Sequence, residues 1–158
     1  LRHKFPSFMT LLALWMTTFG VCVAGAIIPF INTEIYLLSV SALSPRAFVW
    51  PLVVAATFGQ MIGKVAMFYA GGGVLRVRHE RVRRGVEALR NRLETRPLLA
   101  KGILLSSATL GLPPLYVMSL ACGTIGMSVV SFFLIGSLGR FVHFAVVALV
   151  PQYAKALL

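Results

Sequence analysis

The sequence predicts an all-α integral membrane protein with about three full transmembrane helices, two opposed re-entrant helical hairpins and one basic amphipathic cytoplasmic helix. Three observations carry that prediction. Hydrophobic residues make up 58% of the 158-residue chain and the mean hydropathy is +0.88, against roughly 45–50% apolar residues in a soluble domain. Uncharged runs are long: no residue from Phe8 to Thr33 is charged, nor is any of the 38 from Gly102 to Gly139. Finally, the 15 basic residues outnumber the 4 acidic ones, and Arg76, Arg78, Arg81, Arg83, Arg84, Arg90, Arg92 and Arg96 crowd into one segment. A chain this short forms one domain and has no soluble core in which such runs could hide, so their expected solvent is lipid.

Residues 8–28 form the first predicted span, because about 20 apolar residues at 1.5 Å each cover a hydrocarbon core of about 30 Å. Arg2 and Lys4 precede it and Ala24-Gly25-Ala26 lies near its end, a pattern that invites comparison with a signal peptide. The run exceeds the roughly 7–15 apolar residues of a signal h-region, so an uncleaved span is expected. Pro29 ends it. Residues 29–45 are too short and too polar at Asn32-Thr33-Glu34 to cross, which predicts a re-entrant segment.

Residues 47–70 form a second span, interrupted by Gln60 and Lys64 and expected to end at Gly71-Gly72-Gly73. Within it Gly59 and Gly63 make a GxxxG pattern, which lets another helix approach closely. Residues 74–97 read as a basic amphipathic helix: Leu75, Val82, Val86, Leu89 and Leu93 share one face. Glu80 and Arg84 sit at the i, i+4 spacing of a helical ion pair.

The uncharged run from Gly102 to Gly139 would reach about 57 Å as one helix, nearly twice the hydrocarbon thickness. It must break, and Pro113 and Pro114 remove two consecutive backbone donors. Residues 98–123 are therefore expected to enter and leave on one side; the alternative is a single proline-kinked span. Gly123-Thr124-Ile125-Gly126 makes a second break before the last span, 128–150.

Charge sets the orientation. The arginine-rich segment belongs in the cytoplasm by the positive-inside rule, and this reading is simpler than nucleic-acid binding for a cluster flanked by spans. Anionic headgroups suit that helix. Two broken hairpins entering from opposite faces, each followed by a full span, amount to an inverted repeat of the kind that builds transporters with midplane sites.

The order of motifs resembles the DedA-like (VTT) membrane proteins. An acidic, proline-led loop from Pro29 to Glu34 is followed by Ala56-Thr57-Phe58-Gly59-Gln60-Met61-Ile62-Gly63, Tyr69 and Gly72, similar to that family's "ATxGxxxG…YxxG" helix. Gly111-Leu112-Pro113-Pro114, Ala121-Cys122-Gly123, Met127, Phe132 and Gly139-Arg140 resemble its second re-entrant loop and closing helices. The likeness covers about residues 26–142. One departure is specific: where the family commonly has arginines three residues before and after the loop proline, this chain has Leu110 and Tyr116 around Pro113. The resemblance implies a short divergent member in a bacterial inner membrane, moving phospholipids or lipid-linked phosphates between leaflets.

Candidate functional residues are the polar ones in apolar surroundings. Glu34, the one acidic residue outside the basic segment, is expensive in a membrane unless paired, protonated or wetted; it is a candidate proton-coupling or headgroup-sensing group, or else an interfacial partner of Arg46. Lys64 is a candidate phosphate ligand or counter-ion of Glu34, with snorkelling as the alternative. Arg140 is a candidate bidentate phosphate partner, with pairing to a helix C-terminus as the alternative. Asn32 and Gln60, with Ser106, Ser107 and Thr109, could serve a phosphate or the bare carbonyls of the hairpins. Cys22 and Cys122 read as core packing, and the scattered His3, His79 and His143 suggest no metal site. No cofactor is expected, and no nucleophile–base pair or P-loop points to an enzyme. Three spans and two hairpins enclose no wide pore, so a channel would require a homo-oligomer. The expected function is transport of an anionic lipid; the rival is a structural or assembly protein whose intramembrane charges pair with each other.

Overall fold

The computed structural model describes residues 8–28, 31–73, 80–93 and 96–157, and all its regular elements are helical. They are α1 (Phe8–Ile27), α2 (Thr33–Leu43), a 3-10 turn (Arg46–Phe48), α3 (Val49–Gly73), α4 (Glu80–Leu93), α5 (Pro97–Leu110), α6 (Leu115–Thr124) and α7 (Val129–Leu157). Three stretches, Met9–Ile27, Arg46–Gly71 and Val129–Ala154, are long and apolar enough to cross a membrane. At 1.5 Å per residue α2, α5 and α6 reach only about 15–21 Å, short of a bilayer core. Pro29 lies outside the described residues, as do Arg76 and Arg78 of the basic segment.

Local chemistry explains the boundaries. Asn32 is the N-cap of α2, its side-chain oxygen accepting from the backbone N–H of Glu34 at 3.0 Å and of Ile35 at 3.1 Å, a contact worth about 1 kcal/mol. Pro97 occupies the first turn of α5, where its missing donor costs nothing. Gly111 ends that helix with φ 79° and bonds its N–H to the Ser107 carbonyl at 3.0 Å, the left-handed cap that suits glycine. The predicted break at Pro113-Pro114 is present, and α6 begins immediately after Pro114.

Two boundaries differ from expectation. The second long helix does not stop before Gly71 but includes all three glycines. At Gly71 the reason is contact: a Cβ there would collide with the Leu120 backbone of α6. The last helix runs past Val150 to Leu157 with Pro151 inside it. Gln152 anchors that extension, donating to the carbonyls of Ser41 at 2.6 Å and Ser44 at 3.2 Å.

α3 is the central element, packed against α1, α6 and α7. Its membrane-length window is 61% buried, against 17% for α1 and 28% for α7. The GxxxG pair makes the α1 contact, with Gly59 facing the Phe19 carbonyl and Gly63 facing Ala26. α7 presents an exposed apolar stripe at every fourth residue, Val130, Leu134, Leu138, Val142, Val146 and Val150, a surface that water would penalise along its whole length.

Two apolar clusters lie at opposite ends of the α3–α7 contact. One joins Cys22, Leu37, Val53 and Ala56 to Phe144 and Ala148; the other joins Met61, Phe68, Leu104, Met118 and Cys122 to Phe132. Both cysteines are free and buried in these clusters.

Candidate functional site

Between the two clusters, α3 contributes Thr57 and Gln60 and α7 contributes Ser137, Arg140 and His143, so a polar seam divides the apolar core. Gly136, Arg140 and His143 fall at i, i+4 and i+7, one helical face. The tips of two short helices reach this seam: the first turn of α2 brings Glu34 and the last turn of α5 brings Thr109.

His143 joins those tips. Its Nε2 lies 2.9 Å from Glu34 Oε1, and its Nδ1 lies 2.8 Å from the Thr109 carbonyl oxygen. Arg140 stands one turn earlier, with Nη1 3.8 Å from the same Glu34 oxygen. That ion pair is too long to be a hydrogen bond. The guanidinium also lies over the Phe144 ring, 5.7 Å from its centroid. Arg140 is 7% exposed, yet its Nε and Nη1 have no hydrogen-bond partner. Gln60 Oε1 and Ser137 Oγ are orphaned in the same way, and Gln60 Nε2 donates to Thr33 Oγ1 at 3.2 Å. All the orphaned buried side-chain atoms found among the described residues thus belong to this seam. Buried polar groups of folded proteins are nearly always paired, and clustered exceptions mark a place for water, an ion or a ligand.

Lys64 does not pair with Glu34. Its Nζ donates to the Ala26 carbonyl at 2.7 Å, one of the carbonyls that α1 cannot satisfy at its own C-terminus, where a cation also suits the helix dipole. Lys64 borders a cavity of about 310 Å³ shared with Gly25, Ala26, Ile27, Met67 and Tyr116, and Arg140 is close enough for the two like charges to act on each other. Glu34 does not pair with Arg46 either: that guanidinium lies over Tyr153, at 5.9 Å.

The remaining polar candidates serve the backbone. Asn32 is an acceptor at the α2 cap. Ser106 and Ser107 donate to the Leu112 and Pro113 carbonyls, which folds the chain back over the last turn of α5, while Thr109 Oγ1 donates to the Leu105 carbonyl at 2.8 Å.

No family model, curated protein or solved structure matches the chain. The site is therefore read from its own chemistry. It holds two buried cations, Lys64 and Arg140, one half-exposed carboxylate and one histidine engaged at both ring nitrogens. His143 is the participant that sequence reasoning left without a role; its spacing from Arg140, the one charged residue between Val129 and Ala154, is the signal that points to it.

On α4, away from this seam, the expected pair forms: Glu80 accepts from Arg84 Nε and from Arg83 Nη2, each at 3.0 Å. These bonds, Arg84's first, hold the Glu80 carboxyl below its ordinary range.

Proposed function

We propose that this chain is an integral membrane protein of the DedA-like kind that carries an anionic lipid headgroup, or a lipid-linked phosphate, between leaflets of a bacterial inner membrane. In this reading α1, α3 and α7 span the bilayer, α2 and the α5–α6 pair are re-entrant, and α4 lies on the cytoplasmic surface. The observation that carries the reading is the Arg140 guanidinium, buried with two unpartnered nitrogens. A charged group in that setting costs several kcal/mol unless something pairs with it, and Glu34 alone cannot balance both Arg140 and Lys64. A phosphate oxygen would accept from one of these free N–H groups, and an amphiphile would place its apolar part along the cavity beside Lys64.

Reconstituted protein should accelerate exchange of labelled phosphatidylglycerol between the leaflets of a vesicle. Lys64→Met is expected to reduce the preference for anionic over neutral lipid by about tenfold, the scale of one charge-assisted hydrogen bond. An unchanged preference in a well-folded Lys64→Met protein would remove Lys64 from the site.

Orientation has its own test. A cysteine placed at Asn91 in a cysteine-free background should resist a membrane-impermeant thiol reagent in intact cells and react after the cells are opened, because arginines beside spans oppose translocation. Labelling in intact cells would reverse the assignment.

The rival reading, a structural or assembly protein, is favoured by one observation: Lys64 and His143 each satisfy the C-terminal end of a helix, α1 and α5 respectively. Exchange rates that stay at the protein-free level, with every charge variant unfolding in step with its broken contact, would support that rival.

A further inference from the structure

Both ring nitrogens of His143 are engaged, and their partners limit where hydrogens can be. Nδ1 faces the Thr109 carbonyl at 2.8 Å. A carbonyl oxygen only accepts, so Nδ1 carries hydrogen. A neutral imidazole in that tautomer has a bare lone pair at Nε2, 2.9 Å from Glu34 Oε1. Lone pair against carboxylate repels, so a bond at this distance requires one proton between the two atoms. It is held either as imidazolium and carboxylate or as imidazole and carboxylic acid, and the inventory is the same in both.

We infer that Glu34 and His143 together hold one exchangeable proton, and that this proton decides whether Arg140 is free to bind an anionic headgroup. The inference rests on the headgroup reading of Arg140 given above. With the proton in place the Glu34–His143 pair is neutral and leaves the guanidinium without a full counter-charge. When the proton passes to water or buffer, the pair loses its bond and Glu34 becomes a full carboxylate. Arg140 Nη1 is then its nearest donor, 3.8 Å away. A shift of about 1 Å converts that contact into a charge-assisted hydrogen bond. The carboxylate then competes with the headgroup for the guanidinium. Proton and anion therefore bind together, and by linkage each raises the affinity for the other.

The surrounding elements leave few other candidates for the proton. α2 presents Glu34; α7 presents Arg140, which stays protonated; α5 offers the Thr109 carbonyl; α3 contributes Lys64, whose ammonium is held by the Ala26 carbonyl. Among its described residues α1 carries no acidic or basic side chain. Because the Thr109 carbonyl fixes the tautomer, Nε2 is the one ring position at which the proton can be exchanged without breaking a helix cap.

The test is calorimetric titration of the whole detergent-purified protein with short-chain phosphatidylglycerol, whose phosphodiester keeps one charge throughout the histidine range of about pH 5–8. In the unaltered protein, binding should weaken about tenfold per pH unit above the pair's midpoint. About one proton should be taken up per headgroup bound, read from the difference between two buffers of unlike ionisation enthalpy. Glu34→Gln removes the competing carboxylate and should bind at every pH as tightly as the unaltered protein does in acid, with no proton uptake. Nitrogen-15 histidine spectra of a protein with His3 and His79 replaced by glutamine should show Nδ1 protonated throughout, with the Nε2 signal changing as the shared proton is released; this measurement stands even if Glu34→Gln does not fold. Binding without proton uptake, uptake that persists in Glu34→Gln, or a bare Nδ1 each overturns the one-proton pair while leaving the headgroup site in place. Absence of binding at any pH overturns both.

Discussion

Arg140→Met is expected to hold or raise the thermal stability of the protein in detergent while anionic-lipid exchange falls by about a hundredfold. The two halves of this expectation come from the same atoms. A buried guanidinium with Nε and Nη1 unpartnered has given up hydration without full compensation, and a methionine of similar length removes those orphaned donors while keeping most of the packed volume. What stability is lost is the 3.8 Å pair with Glu34 and the contact with the Phe144 ring, roughly 0.5–2 kcal/mol for the latter. Glu34 keeps its bond to His143, so no carboxylate is stranded. The loss of function is larger because a phosphate loses its counter-charge and a charge-assisted bond, at about 1.5–3 kcal/mol, the upper part of which corresponds to about a hundredfold. A structural role predicts the opposite: breaking a buried pair from one side costs about 3–5 kcal/mol, and activity would follow folding. Melting temperature and exchange rate measured on the same preparation separate the two. A large drop in melting temperature, with exchange lost only in proportion, would sink the headgroup role.

Gly59→Leu should be the most damaging single change in the α1–α3 contact, by at least about 3 kcal/mol, at the upper end of overpacking effects. A Cβ at Gly59 meets the Phe19 carbonyl and the Cys22 Cβ, so α1 has to move away as a body. That movement also draws the Ala26 carbonyl from Lys64. The matched control is Gly102→Ala, where nothing lies within 4 Å of the added carbon; there the gain in helix propensity should stabilise by about 0.5–1 kcal/mol. Thermal unfolding of both variants decides the matter, and similar melting temperatures would show that the glycine face is not what holds α1.

Much of the fold is legible in the residues because its causes are local. Pro113 and Pro114 withdraw two successive backbone donors and Gly111 supplies the left-handed cap, so that break has its cause in adjacent residues, and uncharged runs of sufficient length announce membrane-length helices. The GxxxG prediction succeeds because small residues four apart define a flat helix face without reference to the partner. Gly71 to Gly73 mislead for the converse reason: glycine's entropic penalty is visible in sequence, but the approach of Leu120 that calls for a bare position at Gly71 is not. Within the site, the isolation of Glu34, Lys64 and Arg140 is obvious, whereas their pairing depends on which helix tips meet. Glu34 and His143 are 109 residues apart, and no spacing rule connects them. Lys64 reaches Ala26 because α1 ends where it does, so its partner is a backbone carbonyl that carries no signature in sequence.

The Lys64–Ala26 bond also bears on how the chain could enter a bilayer during synthesis. A lysine near the middle of an inserting helix carries an insertion penalty of about 2.5–3.5 kcal/mol, and the bare carbonyls at the end of α1 are a second defect in hydrocarbon. α1 leaves the ribosome first, ending in unsatisfied acceptors; α3 follows with a surplus donor and a glycine face shaped to the earlier helix. Each segment supplies what the other lacks, so in the proposed bilayer α1 and α3 are better accommodated as a helical hairpin, with α2 folded between them, than as two helices admitted one at a time.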